Sequence, residues 1–167
     1  NGRRFRELLF STPHAEEYLS GVILFDATIR QSDSAGLPFS RLLESKGIIP
    51  GIKVDKGLEP LPNFPNEEIS HGLDGLRERL SEYYELGARF TKWRSVIRIS
   101  DETPSETALR ANAHVLAYYA AIVQEKNMVP MVEPEVLFDG AHTLERSAEA
   151  LQGTLAILFE TLQAYRV

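Results

Sequence analysis

Short apolar runs alternate with segments of helical periodicity along this chain of 167 residues. Four such runs, bounded by turn residues, span residues 21–26, 49–55, 90–99 and 128–136. Runs of this length between helical segments are typical of βα units, whose strands lie parallel in one sheet. Because consecutive strands usually lie side by side, the pattern predicts an α/β fold with four parallel strands in the order 1-2-3-4.

Helices are predicted between the strands from apolar residues three or four positions apart. One long helix is expected to begin at Thr103, where Thr103 and Glu106 match a capping box, and to end near Lys126, with Asn127 just beyond it. The last helix is expected to begin near Thr143 and to bury a stripe that comprises Leu144, Ala148, Leu151, Leu155, Leu158 and Leu162. Shorter helices are predicted over residues 3–10, 39–45 and 73–87.

Three prolines interrupt the segment from Leu58 to Ser70. Proline has no N–H to donate to a strand ladder, so we expect this segment to be extended and to pair with no sheet. A long loop after a strand is a common position for a functional site, although a solvated connector is the commoner explanation.

Composition excludes several classes of protein. With 18 basic and 24 acidic residues the formal charge is -6, whereas a nucleic-acid-binding surface needs a basic excess. The chain has no cysteine, which excludes a disulfide scaffold and a thiolate metal site. No apolar run approaches the roughly 20 residues of a membrane span. The four histidines show no metal-ligand spacing, so no metal site is predicted.

Charged residues occupy three of the predicted strands in pairs two positions apart. A parallel strand covered on both faces is normally almost entirely apolar. Since side chains alternate along a strand, both members of each pair point to the same face. The pairs recur about 40 residues apart, one βα unit per step, so we expect them to converge at one end of the sheet. They are Lys53 with Asp55, Lys92 with Arg94, and Glu133 with Glu135.

This set of charges suggests acid–base chemistry on a phosphorylated metabolite. Lys53, Lys92 and Arg94 together offer an anion site, and arginine can bind a phosphate through two parallel hydrogen bonds. Glu133 and Glu135 supply proton donors and acceptors. The alternative is that the charges form structural ion pairs, or that a strand exposes this face to water.

These residues lie in motifs that resemble class I fructose-1,6-bisphosphate aldolase, the Schiff-base type. The combination of KWR, a VEPE motif about 40 residues later and GIKVDKG before both is specific, and the resemblance covers essentially the whole chain. The matching segments are NGRRFRELL at 1–9, GVILFDAT at 21–28, GIKVDKG at 51–57, GLDGL at 72–76, FTKWRSV at 90–96, ETPS at 102–105 and VPMVEPEVL at 129–137.

The resemblance implies a role for each charged residue. Lys92 matches a lysine that binds substrate and relays protons, and Glu133 matches the acid–base glutamate, with Glu135 as the partner that tunes it. The phosphate and sugar would be bound by a set that comprises Arg94, Lys53, Asp55 and, less directly matched, Arg3.

The family fold is a (β/α)8 TIM barrel, and the resemblance implies that residues 1–167 form one partial barrel domain holding strands 2 to 5. On this interpretation the chain is an internal fragment, because none of its five lysines matches the Schiff-base position. The resemblance implies that the parent is a cytoplasmic glycolytic lyase and a homo-oligomer, and that it cleaves fructose 1,6-bisphosphate without a cofactor. Two alternatives remain: another sugar-phosphate enzyme on the same barrel, and a non-catalytic binding protein derived from it.

Overall fold

Four parallel strands form the central sheet of the structure, a computed structural model that describes residues 2–167. The first residue of the predicted domain 1–167 lies outside the described residues. The elements are α1 (Gly2–Ser11), β1 (Gly21–Leu24), α2 (Asp26–Ile29), α3 (Phe39–Ser45), β2 (Ile49–Lys53), β3 (Leu58–Pro60), β4 (Glu68–Ser70), α4 (Leu76–Glu85), β5 (Phe90–Ile97), α5 (Glu106–Glu125), β6 (Val129–Val136) and α6 (Leu144–Ala164).

The sheet order is β1-β2-β5-β6 with every neighbouring pair parallel, which confirms the predicted order of the four strands. Side chains of β5 alternate between its two faces. Trp93 is fully buried against Tyr119 of α5, with ring centroids 5.1 Å apart. The opposite face carries Phe90, Lys92 and Arg94, which are only partly buried. The helices therefore cover one face of the sheet and leave the face with the charged residues open.

The α4 and α5 helices end where the sequence predicts. Gly87, just beyond α4, has φ 107°, and Asn127, just beyond α5, has φ 55°. Both values lie in the left-handed region, which glycine and asparagine adopt more readily than other residues. These turns direct the chain from each helix into the next strand of the sheet.

The predicted N-cap of α5 is wrong by two residues. Ser105, not Thr103, is the cap, and its hydroxyl accepts a hydrogen bond from the Ala108 N–H at 3.1 Å. Thr103 instead lies in the preceding turn, where its hydroxyl contacts that of Ser100. The helix therefore begins at Glu106, so Glu106 is its first residue and not the third residue of a capping box.

The segment from Leu58 to Ser70 contradicts the prediction that it pairs with no sheet. β3 and β4 form an antiparallel hairpin in which Pro60 lies opposite Glu68. The adjacent Leu61 N–H donates to the Glu67 carbonyl at 2.9 Å. Antiparallel pairs alternate between bonded and non-bonded, so Pro60 occupies a non-bonded position where its missing N–H costs nothing.

The last helix begins at the predicted cap, Thr143, but only part of the predicted stripe is buried. Leu158 is buried as predicted, whereas Leu144 and Leu151 are 81% and 42% exposed. The other buried side chains of α6, Ala150, Thr154 and Thr161, are small and let the helix pack closely on α5, so the packing partner shifts the buried face away from the first part of the stripe. Within residues 2–167, no helix combines the length and apolar character needed to cross a membrane.

Candidate active site

Three adjacent strands carry the predicted charged residues to one region of the open face. In the register of the sheet Lys53 lies beside Lys92, and Arg94 lies beside Glu133. Lys92 is the third of the eight residues of β5, whereas Lys53, Arg94 and Glu133 lie in the second halves of their strands, toward the carboxyl end. This is the end of a parallel sheet where α/β proteins build their sites.

Lys92 and Glu133 form the ion pair between β5 and β6. The Lys92 Nζ lies 2.8 Å from the Glu133 Oε2, and the side chains are 23% and 37% exposed. That carboxylate oxygen is itself buried and has no hydrogen-bond partner of good geometry in the described part of the chain. The contact is therefore an ion pair and not a well-aligned hydrogen bond.

Arg94 and Glu135 form a second pair on the same two strands. The Arg94 Nε donates to the Glu135 carboxylate, while its two terminal amino groups have no hydrogen-bond partner within residues 2–167. The side chain is 39% exposed. The outer edge of the guanidinium is thus accessible, and this edge is the one that can bind a phosphate through two hydrogen bonds.

Asp55 is the most deeply buried member of the group, with a side chain only 3% exposed. One carboxylate oxygen forms an ion pair with the Lys53 ammonium. The other accepts a hydrogen bond from the Arg94 N–H at 3.4 Å. Asp55 therefore links the end of β2 to β5 and holds Lys53 at the edge of the open face.

The structure does not bring Arg3 into contact with these six residues. Arg3 lies on α1, where its guanidinium donates to the Ser32 carbonyl at 3.0 Å and pairs with Glu7 at 3.3 Å. Among the described residues, no group of three or more histidine, aspartate or glutamate side chains is arranged to hold a metal ion.

Two side chains outside the predicted set support the strands that carry the site. The Tyr119 hydroxyl bridges the strands that carry Lys92 and Glu133, at 2.5 Å from the Thr91 Oγ1 and 3.3 Å from the Met131 carbonyl. Burial raises the pKa of the Tyr119 phenol above its ordinary value, so the hydroxyl stays protonated at neutral pH. The second is Ser70, whose hydroxyl donates to the Arg94 carbonyl at 2.6 Å. No local motif marks either residue, since each partner is distant in the sequence.

The fold and the site together define a parallel α/β protein in which cations and carboxylates are paired on the open face of the sheet. The family model for class I fructose-bisphosphate aldolase matches residues 1–167. The chain belongs to this family.

Relatives support the assignment. A probable class 1 fructose-bisphosphate aldolase of Xanthomonas campestris is 55% identical over all 167 residues, which are 50% of that protein. A cytosolic fructose-bisphosphate aldolase of Arabidopsis thaliana is 48% identical over the same length, 47% of that protein. The chain thus spans about half the length of the curated relatives it matches.

A solved structure is also closely similar. It is a fructose-bisphosphate aldolase from Plasmodium falciparum, crystallised with TRAP and a small-molecule inhibitor. It superimposes with a TM-score of 0.94 at 45% identity, over 96% of this chain and 47% of that chain. The likeness and the parallel sheet confirm an α/β fold of the kind found in aldolases, whereas the assignment of strands 2 to 5 of a barrel stays a prediction.

Proposed function

We propose that this chain forms part of a class I fructose-bisphosphate aldolase, which reversibly cleaves fructose 1,6-bisphosphate to dihydroxyacetone phosphate and glyceraldehyde 3-phosphate. The observation that carries the proposal is the convergence of Lys92, Arg94 and Glu133 on one open face, within a chain that belongs to this family. On the same grounds we propose that residues 1–167 form a partial barrel domain that holds strands 2 to 5. The four consecutive parallel strands support this placement.

Arg94 and Lys53 are proposed to bind a phosphate of the substrate. Each cation is paired with a carboxylate, so a phosphate has to compete with that partner. The pair of Arg94 with Glu135 is partly exposed, and such pairs contribute only about 0–1 kcal/mol, a cost that a dianionic phosphate can offset. The free outer edge of Arg94 gives the phosphate a point of entry without first breaking the pair with Glu135.

Glu133 is proposed to act as the general acid and base, with Lys92 binding substrate and relaying protons. The Glu133 side chain is 37% exposed and is paired with Lys92, so its carboxylate lies on the open face beside a cation, where it can exchange a proton with a substrate hydroxyl. Glu135 orients Arg94, and Asp55 orients Lys53. The predicted direct role of Asp55 in binding sugar stays a prediction, as does that of Arg3.

In this proposal the lysine that forms the Schiff base is supplied by a part of the enzyme that lies outside this chain. Such a lysine attacks the substrate carbonyl, and the iminium then accepts the electrons of the breaking carbon–carbon bond. We further propose that the enzyme works in the cytoplasm, which the cytosolic Arabidopsis thaliana relative supports in part. We also propose that it is a homo-oligomer.

Two measurements test the proposal. The complete protein that contains this chain should cleave fructose 1,6-bisphosphate in a coupled spectrophotometric assay; absence of cleavage would contradict the proposed function. This chain alone should form no covalent adduct when it is treated with dihydroxyacetone phosphate and borohydride. Intact mass spectrometry measures the mass of the treated protein. An adduct on Lys92 would instead favour a different Schiff-base enzyme, and a Lys92→Arg variant provides the control.

A further inference from the structure

The ladder between β2 and β5 stops just before Arg94. The last Cα pair is Lys53 with Lys92, and the Val54 N–H donates to the Lys92 carbonyl at 3.0 Å. In a regular parallel ladder the next groups of β5 to face β2 are the N–H and the carbonyl of Arg94. The chain turns away after Val54, so both backbone groups of Arg94 need other partners.

Two side chains take the place of the missing strand. The Arg94 N–H points at the Asp55 carboxylate, 3.4 Å away, and the Arg94 carbonyl accepts a shorter bond of 2.6 Å from the Ser70 hydroxyl. Ser70 is only 3% exposed, so water cannot readily replace it. Of the two contacts, the shorter one to Ser70 holds the peptide group that follows the Arg94 side chain.

Ser70 is itself held firmly, because its hairpin is tied to α5. The carboxylate of Glu67 accepts from the Ser105 N–H at 2.7 Å and from the Ser105 hydroxyl at 2.5 Å, at the first turn of the helix. The Asn112 side chain donates to the Glu68 carbonyl at 2.9 Å, and Arg98 pairs with the Glu68 carboxylate at 2.9 Å. These contacts hold β4 and the residue before it, so the strand that carries Ser70 has little freedom to shift.

We propose that the hairpin of residues 58–70 is a positioning element for the phosphate site, and that Ser70 is a positioning residue that acts through Arg94. The inference rests on the proposed function for the phosphate-binding part of Arg94. A bidentate contact with phosphate requires the guanidinium plane to be well oriented, and the backbone under the side chain sets that orientation. Ser70 substitutes for the strand that would otherwise hold this backbone.

The first test is kinetic and uses the complete protein. Ser70→Ala should raise the KM for fructose 1,6-bisphosphate about tenfold while changing kcat less than about twofold, because a phosphate contact is made in both the ground state and the transition state. Ser70→Thr keeps a hydroxyl and should recover most of the affinity. The control is Ser45→Ala, which removes an exposed hydroxyl bonded to the Leu42 carbonyl and should change neither constant. An unchanged KM in Ser70→Ala overturns the proposal.

A double-mutant cycle separates positioning from general loss of structure. If Ser70 acts through the Arg94 side chain, Ser70→Ala should add nothing to the KM of an Arg94→Ala variant. If Ser70 only stabilises the fold, its effect should persist at full size in that background. The second outcome overturns the proposal even when the single variant is impaired.

The last test needs no activity, so it stands if the proposed function fails. In NMR spectra of this chain, the ¹H–¹⁵Nε resonance of Arg94 reports the environment of the guanidinium. It should shift in Ser70→Ala and stay in place in Ser45→Ala. A complete protein that does not cleave the bisphosphate contradicts the proposed function, whereas an unmoved Arg94 resonance contradicts the positioning role.

Discussion

Replacing Tyr119 with phenylalanine removes one buried oxygen and little else. The hydroxyl lies 2.5 Å from the Thr91 Oγ1 and 3.3 Å from the Met131 carbonyl, and the exposure of both Tyr119 and Thr91 is 0%. The ring of phenylalanine retains the contact with Trp93, so no cavity of note forms. The substitution therefore isolates the hydrogen bonds that connect β5 to β6 behind the candidate site.

The expected loss of stability follows from the groups left without a partner. An unsatisfied polar group in a dry interior costs about 1–3 kcal/mol, and we expect about 2 kcal/mol for Tyr119→Phe. In a protein of this size that corresponds to a fall in Tm of about 4–8 °C. Urea unfolding followed by circular dichroism measures the free energy, and a thermal scan measures the Tm.

Two further variants test whether the Tyr119 hydroxyl stabilises the protein. Tyr118→Phe, one position earlier on α5, alters a side chain that is 41% exposed and should change stability by less than about 0.5 kcal/mol. Adding Thr91→Val to Tyr119→Phe replaces both hydroxyls by apolar groups of similar shape, which should recover most of the loss. If Tyr119→Phe costs no more than Tyr118→Phe, or if the double variant recovers nothing, the bridge does not stabilise the protein as argued.

Two other predictions concern the candidate site and its surroundings. In the complete protein, Arg94→Ala should raise the KM for the bisphosphate more than it lowers kcat, whereas Glu133→Gln should mainly lower kcat; steady-state kinetics showing the reverse would exchange the two assigned roles. Hydrogen bonds from Arg30 and Tyr83 lower the pKa of Asp26 below its ordinary value. The stability that this carboxylate contributes is therefore present above about pH 4 and lost as the pH falls further, and it amounts to less than about 1 kcal/mol because the side chain is half exposed. Asp26→Asn should reduce stability at neutral pH and flatten its dependence on acid, and equal slopes of the urea midpoint against pH for both proteins would contradict this.

Local patterns in the sequence were sufficient to predict the main sheet. The four apolar runs are short enough to be strands, and consecutive strands joined by helical crossovers usually lie side by side in one sheet. Gly87 and Asn127 end their helices because few other residue types adopt the left-handed conformation that the turns require. The alternation of side chains along a strand likewise predicts that Lys92 and Arg94 share one face of β5 and that Glu133 and Glu135 share one face of β6.

What depends on distant partners was decided only by the tertiary structure. The prolines of residues 58–70 argued against a strand, yet Pro60 fits a hairpin because its neighbour in the fold leaves that N–H position unused. The buried face of α6 depends on its packing against α5, which leaves Leu144 and Leu151 of the predicted stripe exposed and buries Ala150 and Thr154 instead. Charge alone could not assign Glu133 to Lys92 and Glu135 to Arg94, since that choice depends on the register of β5 against β6. The support from Ser70 and Tyr119 likewise arises only when residues 12–28 positions apart in the chain are brought within hydrogen-bond distance.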